Sequence, residues 1–187
     1  MIPIKNKKKT LEVTVDEMRN FSFAYIEKYA PSKQQLRTYL LKKYLKIKIP
    51  EVNKKNITDL IDVVLHDLEN TKFINDKFYS KSKAKSLLQK GSSINKIRNY
   101  LYTKGINDKF IRETISQIKE NNEDQDFFSA IKICKKKRIG PCREENNRIL
   151  FYKKDLGILA RSGFDFETSK KVMDLKKEDY LKIINLL

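Results

Sequence analysis

The side chains that most often carry catalysis or bind metals are scarce and far apart in this sequence. Cys134 and Cys142 are the only cysteines, and His66 is the only histidine. A structural zinc site generally takes four cysteine or histidine ligands, so these three residues predict no metal site. A lone histidine also has no cysteine or serine nucleophile in sight. We therefore expect two free thiols, an ordinary surface or boundary histidine on a helix, and no enzymatic activity.

Loops that bind phosphates or cofactors are missing as well. The five glycines are widely separated, and neither G-x-G-x-x-G nor a Walker sequence occurs, so we predict no cofactor. Glu123, Asp124 and Asp126 offer carboxylate oxygens to a metal. Acids also favour the start of a helix, and a hydrated linker with acids at a helix start is the interpretation we prefer.

Basic residues dominate the charge and fall into three acid-free blocks. Lysine and arginine number 41 against 24 acids, and the net charge is +17. Segments 28–48, 77–104 and 132–143 hold seven, eight and six basic residues without an acid. Such blocks are typical of a surface that faces a polyanion, and a merely solvated lysine-rich surface is the alternative. The candidate binding residues are Lys42, Lys46, Lys83, Lys90, Lys96, Lys135, Lys136, Lys137 and Arg138.

The spacing of apolar residues refines these candidates. At 100° per residue, Lys42, Lys46, Lys83, Lys90 and Lys96 point away from the apolar faces of their helices, so we predict that all five are exposed. Two tyrosines of the middle block, at positions 100 and 102, could stack on bases. Burial against neighbouring helices is the role that we expect for both tyrosines.

The elements that must position these residues are helical. Five glycines and four prolines are too few for a protein with many β-turns. Thr14 and Ser32 each begin an S/T-x-x-E/Q capping box, which predicts two helix starts, and Ala30-Pro31 ends the first helix. Asn56 is predicted to cap a third helix, whose apolar stripe covers 57–68.

A second set of three helices follows the same order. One is predicted from about Asp76 to Gln89 with Gly91 as its stop, one begins at Ser93 and ends at 104–105, and one begins at Asn107. The pattern Ser-x-x-x-apolar-Arg-x-Tyr-Leu-x-x-Lys occurs at 32–43 and again 61 residues later at 93–104. A weaker third copy lies at 156–164.

Repetition at fixed spacing predicts stacked helical units. We expect an all-α fold, an elongated curved array of three tandem three-helix repeats with about nine helices and with the basic blocks aligned along one side. Arg37 and Arg98 share one repeat position, where part-buried pairing and ligand contact are both open. The predicted segments are a flexible basic lead-in at 1–13, repeat 1 at 14–70, repeat 2 at 71–122, and repeat 3 with a C-terminal extension at 123–187.

Three motifs in the right order resemble the RecX family. Segment 68–79 is similar to the junction of the family's first two repeats, and 90–106 resembles its central G-x-x-x-I-x-x-x-L-x-x-K-G-I segment. Residues 135–141, followed by 159–165 with a closing L-x-R-x-G-F, resemble its third repeat. The Arg-Ile-Gly-Pro form at 138–141 is similar to members from alphaproteobacteria.

The resemblance implies a non-enzymatic regulator, mainly an inhibitor, of the bacterial recombinase RecA. Such proteins bind the RecA nucleoprotein filament in its groove. They modulate filament growth, ATP hydrolysis, strand exchange and the coprotease activity of the SOS response, in DNA recombination and repair. A general nucleic-acid-binding helical repeat protein is the alternative. We expect a monomer whose partners are the RecA filament and DNA, bound directly or through the filament.

The predicted location is the cytoplasm. No run reaches the roughly 18 apolar residues that a membrane span needs, so no membrane partner is expected. Residues 1–9 carry charges with no apolar stretch behind them, and no secretory signal is predicted.

Overall fold

A computed structural model describes residues 11–46 and 54–186. These residues fold into α-helices joined by short turns, without a β-strand among them, and they confirm the predicted all-α class. They contain ten α-helices where about nine were expected. The predicted lead-in at 1–13 lies almost entirely outside these residues. No helix in the described part of the chain is long and apolar enough to cross a membrane.

The described residues up to Asn75 form one compact unit with three helices. The predicted caps organise it: the hydroxyl of Thr14 accepts from the backbone N–H of Glu17, and Ser32 and Gln35 form a complete capping box. The third helix begins at Lys54, so Asn56 lies inside its first turn and the predicted cap there is wrong. The helices are α1 (Val15–Tyr29), α2 (Lys33–Tyr44) and α3 (Lys54–Asn70).

The core of this unit consists of one stripe of apolar side chains from each of its three helices. Met18, Leu36, Leu40 and Tyr44 are fully buried and pack with the apolar face of α3. Leu11 and Val13 of the predicted lead-in also pack against this core. Each helix contributes only one apolar face, which explains how a chain that is 40% hydrophobic can fold.

The residues from Asp76 onward form the second unit, which contains seven helices. Two hydrophobic core clusters support it, one from the first three of its helices and one from the last four. The stops and starts at Gly91, Ser93 and Asn107 are confirmed. The helices are α4 (Asp76–Gln89), α5 (Ile94–Thr103), α6 (Asp108–Asn121), α7 (Gln125–Lys137), α8 (Glu145–Arg161), α9 (Phe166–Met173) and α10 (Lys177–Asn185).

Side-chain and backbone contacts join the two clusters of the second unit at the start of α5. The Ser93 hydroxyl accepts from the Lys96 N–H and donates to the carbonyl of Ser162 at 3.0 Å. Gly163 has a φ of +92°, and a Cβ there would lie 2.5 Å from that hydroxyl. The glycine of the L-x-R-x-G-F motif therefore has a structural role, because only glycine permits this approach and this backbone conformation.

The Arg-Ile-Gly-Pro motif also carries structure. Gly140 begins a short 3₁₀ turn with a φ of +58°, and a Cβ there would lie 2.7 Å from the sulfur of Met173. The Gly140 N–H donates to the fully buried carboxylate of Asp155, which Arg143 binds through two guanidinium nitrogens. Both carboxylate oxygens of the buried Asp155 thus accept hydrogen bonds, and the bond from the Gly140 N–H holds this turn in place.

Candidate nucleic-acid and filament interface

Many basic residues outside the candidate set form ion pairs, and in the first unit three of the acids involved lie on α3. Arg19 pairs with Asp67 at 2.9 Å, Lys33 with Glu69 at 2.5 Å, and Arg37 with Asp62 at 2.8 Å. The hydrogen bond from Arg37 lowers the pKa of Asp62. These three pairs fasten α1 and α2 to α3 across the unit.

The nine candidate residues behave differently. Within the described part of the chain, none of the nine forms an ion pair. Eight of the nine are exposed. Lys83 is the exception: it is half-buried, with its ammonium 5.6 Å from the centre of the Tyr79 ring, so its predicted exposure is wrong. The alkyl stem of a lysine can lie along an apolar surface in this way.

Lys42 and Lys46 lie at the end of α2 on either side of a fully buried tyrosine. Tyr44 points into the core, so the helix turns both lysines toward solvent. The neighbouring Lys43 places its ammonium 3.5 Å from the centre of the Phe21 ring. Lys43 is thus engaged in a cation–π contact, whereas Lys42 and Lys46 are available to an external anion.

Lys90 follows α4 and lies next to the turn that packs on α7. A Cβ on Gly91 would approach both the Lys132 Cβ and the Ser129 carbonyl to 3.1 Å. The chain therefore needs glycine where this turn meets α7, and the adjacent Lys90 is exposed.

Arg37 of α2 and Arg98 of α5 share one repeat position but have different partners. Arg98 is exposed and donates to the amide oxygen of Asn95 at 3.3 Å, in contrast to Arg37, which binds Asp62. In the second unit, Glu113 of α6 pairs with Lys77 of α4 at 3.0 Å. Of the two alternatives open at this repeat position, Arg37 has the part-buried pairing, whereas Arg98 has no acidic partner among the described residues and remains a candidate for ligand contact.

The two tyrosines of α5, Tyr100 and Tyr102, differ in burial. Tyr100 is half-buried and packs against the core of α4–α6, as expected. Tyr102 is 75% exposed, so its predicted burial is wrong. One residue beyond the buried Leu101, Tyr102 lies about 100° round the helix from it. Arg98 precedes Tyr102 by four residues and therefore shares its face of the helix, with its guanidinium hydrogen bonded to Asn95.

The fourth basic group ends α7. Lys135, Lys136, Lys137 and Arg138 are all exposed, and Arg138 forms the left-handed C-cap with a φ of 53°. Cations are favoured at this end of a helix because the last carbonyls carry partial negative charge. This stabilisation offsets part of the repulsion among four adjacent like charges and keeps them together at the surface.

In the described part of the chain, the histidine, the cysteines and Asp126 do not come together in one site. His66 is exposed on α3, as expected, and both cysteines are free thiols. Burial raises the pKa of the Cys134 thiol to about 12, so it stays protonated at neutral pH. No cluster of potential metal ligands occurs within the described residues. Asp126 lies in the first turn of α7, which fits the expected acids at a helix start. It is half-buried, in contrast to a hydrated linker, and accepts the backbone N–H of Ile94 at 2.8 Å.

The sequence is similar to those of known proteins. No protein-family model matches the chain. The regulatory protein RecX of Myxococcus xanthus (strain DK1622) is 29% identical over 177 residues, which cover 91% of each chain. The regulatory protein RecX of Clostridioides difficile (strain 630) is 28% identical over 137 residues, which are 71% of this chain and 59% of that protein.

The fold is shared as well. A crystal structure of a regulatory protein RecX superposes with a TM-score of 0.57 and 18% sequence identity. The superposition covers 86% of this chain and 74% of the other. The similarity in sequence over 91% of both chains confirms the resemblance that the motifs predicted: the chain is similar to the RecX regulatory proteins, and it shares its helical fold with one of them.

Proposed function

We propose that this protein regulates the recombinase RecA, mainly as an inhibitor, by binding the RecA nucleoprotein filament in the cytoplasm. Its relatives are named regulatory proteins, which supports a binding role. The observation that carries the proposal is the set of nine basic residues that no acid of the described chain neutralises. Such a set suits the phosphates of filament DNA, because phosphate contacts supply most of the sequence-independent affinity for nucleic acid.

The proposed action is stoichiometric binding. Bound to the filament, the protein limits filament growth and thereby ATP hydrolysis, strand exchange and the coprotease activity that filaments support. The proposed division into repeats 14–70, 71–122 and 123–187 would give one basic block to each repeat. Each repeat would then offer separate contacts to a long ligand.

A second candidate function is general nucleic-acid binding. The observation that favours it is the exposed Tyr102 with Arg98 on the same face of α5. An exposed aromatic ring beside a guanidinium is a platform on which an unpaired base can stack, and stacking of this kind tolerates any base. This site also fits the leading proposal, since the filament contains single-stranded DNA.

The decisive experiment adds increasing amounts of the protein to RecA during its single-stranded-DNA-dependent ATP hydrolysis. We expect inhibition at equimolar protein, and co-sedimentation of the protein with the filaments. Unchanged hydrolysis without co-sedimentation would overturn the regulator proposal. Binding to bare single-stranded DNA under those conditions would leave the general nucleic-acid-binding function as the better account.

A charge-reversed variant tests the basic residues themselves. The variant changes Lys42, Lys46, Lys90 and Lys96 to glutamate and leaves the half-buried Lys83 in place. We expect normal folding, because each change falls within the ~0.5 kcal/mol typical of surface positions, and joint loss of filament and DNA binding at ~0.1 M salt. The matched control reverses four exposed lysines outside the candidate set: Lys54, Lys109, Lys119 and Lys170.

The comparison has three outcomes. Joint loss of binding in the first variant alone supports the proposed contacts. Loss of DNA binding with filament binding retained would place the lysines on nucleic acid and RecA recognition elsewhere. Equal losses in both variants would show a general effect of net charge, and the nine residues would then be a solvated surface.

A further inference from the structure

Helix α8 presents apolar side chains that its own core leaves uncovered. Ile149 is 81% exposed and Leu150 is 74% exposed, although both lie in the interior of a 17-residue helix. Only Asp155 and Leu159 of this helix are buried. Two large aliphatic side chains next to each other in water form a contiguous apolar patch, and such patches mark interaction sites when polar residues surround them.

The exposed face continues along the helix with a glycine. At 100° per residue, Gly157 lies on the same side as Ile149, Leu150 and Lys153. A Cβ on Gly157 would meet only the flexible guanidinium of Arg161, at 3.4 Å. Internal packing therefore does not require glycine here, yet glycine within a helix costs about 1 kcal/mol relative to alanine. Its position suits close approach of another backbone from outside.

Charge identifies the kind of partner. Lys153, Lys154 and Arg161 border the face and are exposed, and none of the three forms an ion pair within the described part of the chain. Lys154 additionally lies 5.5 Å from the centre of the Phe151 ring. Asp155 of this helix is buried and bound by Arg143, so the one exposed acid on α8 is Glu145, one turn before Ile149. A complementary surface carries carboxylates around apolar side chains.

Beside Ile149 there is room for a side chain of the partner. A depression of about 340 Å³ lies between α8 and the turn that follows α9, with Ile149, Tyr152 and Met173 among its walls. Two acids and two bases complete the lining: Glu145, Asp174, Arg148 and Lys176. The Tyr152 hydroxyl donates to Asp174 at 2.8 Å and fixes one wall. An aliphatic or aromatic side chain placed against Ile149 could extend into this depression.

We infer that the exposed face of α8, defined by Ile149, Leu150, Lys153, Gly157 and Arg161, docks on an acidic, apolar protein surface of the filament. The inference rests on the proposed function and assigns to that function a protein contact distinct from the DNA contacts of the candidate lysines. Aliphatic side chains lack the ring faces with which proteins stack on bases, so nucleic acid does not explain them. A second copy of this chain is disfavoured, because each copy carries a net charge of +17 and the face itself is basic.

The test compares three variants with the unaltered protein. Ile149→Ser with Leu150→Ser removes the apolar contact, Gly157→Gln blocks close approach, and Val63→Ser is the matched control because Val63 is another exposed aliphatic residue. Binding to RecA filaments on single-stranded DNA and to single-stranded DNA alone is measured by fluorescence anisotropy. Circular dichroism and urea unfolding check that each variant is folded.

We expect the double variant and Gly157→Gln to bind filaments at least tenfold more weakly, with affinity for bare DNA within twofold of the original. Val63→Ser should match the unaltered protein in both assays. Unchanged filament affinity in the α8 variants would overturn the inference while leaving the proposed function in place. An equal loss for filament and bare DNA would also overturn it, because the face would then contact nucleic acid. Failure of the unaltered protein to bind filaments would overturn the proposed function and the inference with it.

Discussion

The carboxylate of Asp126 accepts a hydrogen bond from the backbone N–H of Ile94, 2.8 Å away, so a side chain of α7 caps the first turn of α5. The Ser93 hydroxyl satisfies a second N–H of that turn, from Lys96. The first N–H groups of a helix have no partner within the helix. The start of α5, which carries Lys96 and Arg98, is therefore fixed by residues 32 positions apart in sequence.

Loss of this cap should destabilise the second unit. Asp126→Ala removes the acceptor of the Ile94 N–H, and we expect the free energy of unfolding to fall by about 1 kcal/mol. Urea unfolding followed by circular dichroism measures the change. The control is Asp124→Ala, whose exposed carboxylate has only a 3.5 Å ion pair with Lys171 and should matter by less than about 0.5 kcal/mol. Equal decreases in the free energy of unfolding for the two variants would show that the hydrogen bond from the Ile94 N–H does not stabilise the second unit.

The buried pair of Arg143 and Asp155 should make stability depend on pH. Burial acts to raise the pKa of Asp155, but hydrogen bonds from Arg143 and Gly140 prevail and hold it below its usual range. The ionised carboxylate therefore stabilises the fold fully above pH ~4, near the ordinary aspartate value, and this stability is lost as the pH falls. We expect Asp155→Asn to lower the free energy of unfolding by about 3 kcal/mol at pH 7.

The difference between Asp155→Asn and the original protein should shrink toward pH 3, as measured by urea unfolding at both pH values. Asp62→Asn is the control, since it breaks a surface pair with Arg37. The Asp62 side chain is 53% exposed. The cost of this change at pH 7 should stay below about 1 kcal/mol. A pH-independent cost of Asp155→Asn would contradict the assignment of the charge to the carboxylate.

Two glycine-to-alanine changes should have opposite signs. Gly140→Ala places a methyl group 2.7 Å from the Met173 sulfur in a left-handed backbone conformation, so we expect a loss of about 2 kcal/mol or more. Gly157→Ala meets only a flexible guanidinium on α8 and should raise stability by about 0.5–1 kcal/mol. Thermal unfolding of the two variants checks both. Destabilisation by Gly157→Ala would show that this glycine is needed for internal packing.

The exposed ring on α5 should contribute to binding and not to folding. Tyr102→Ala is expected to weaken single-stranded DNA binding by about 1–3 kcal/mol, the usual contribution of one stacked base. Its effect on the free energy of unfolding should lie within about 0.5 kcal/mol. Tyr102→Phe keeps the ring and should bind like the original protein. Anisotropy titrations with a single-stranded oligonucleotide decide the matter, and equal affinities for all three proteins would exclude stacking at this position.

The basic residues at the end of α7 should contribute to the salt dependence of nucleic-acid binding. Changing Lys135, Lys136 and Lys137 to glutamine is expected to lower the slope of log K against log salt by about 0.7–0.9 for each phosphate that the variant no longer binds. A small decrease in stability is also expected, because these cations favour the helix terminus. Titrations at several salt concentrations give the slope. A change in stability with an unaltered slope would assign the three lysines to the helix end alone.

Local sequence determined much of this protein. Ser32 and Ser93 cap helices as predicted, because a cap needs only a side-chain oxygen and an N–H three residues away. The stop at Gly91 and the apolar stripe of α3 follow from equally short-range rules. Even the buried side of α2, with Leu36, Leu40 and Tyr44, could be predicted from helical spacing. The resemblance to the RecX family also came from short motifs in order.

Tertiary structure decided which of the charged and aromatic residues remain available to a partner. Arg37 and Arg98 share a motif position, but among the described residues only Arg37 pairs with an acid, because α3 brings Asp62 to it from 25 residues away. Lys83 lies along Tyr79, and Tyr102 faces solvent where burial was expected. Helical spacing fixes the direction of a side chain relative to its own axis. What occupies that direction depends on neighbouring helices, and those contacts form only when distant segments of the chain pack together.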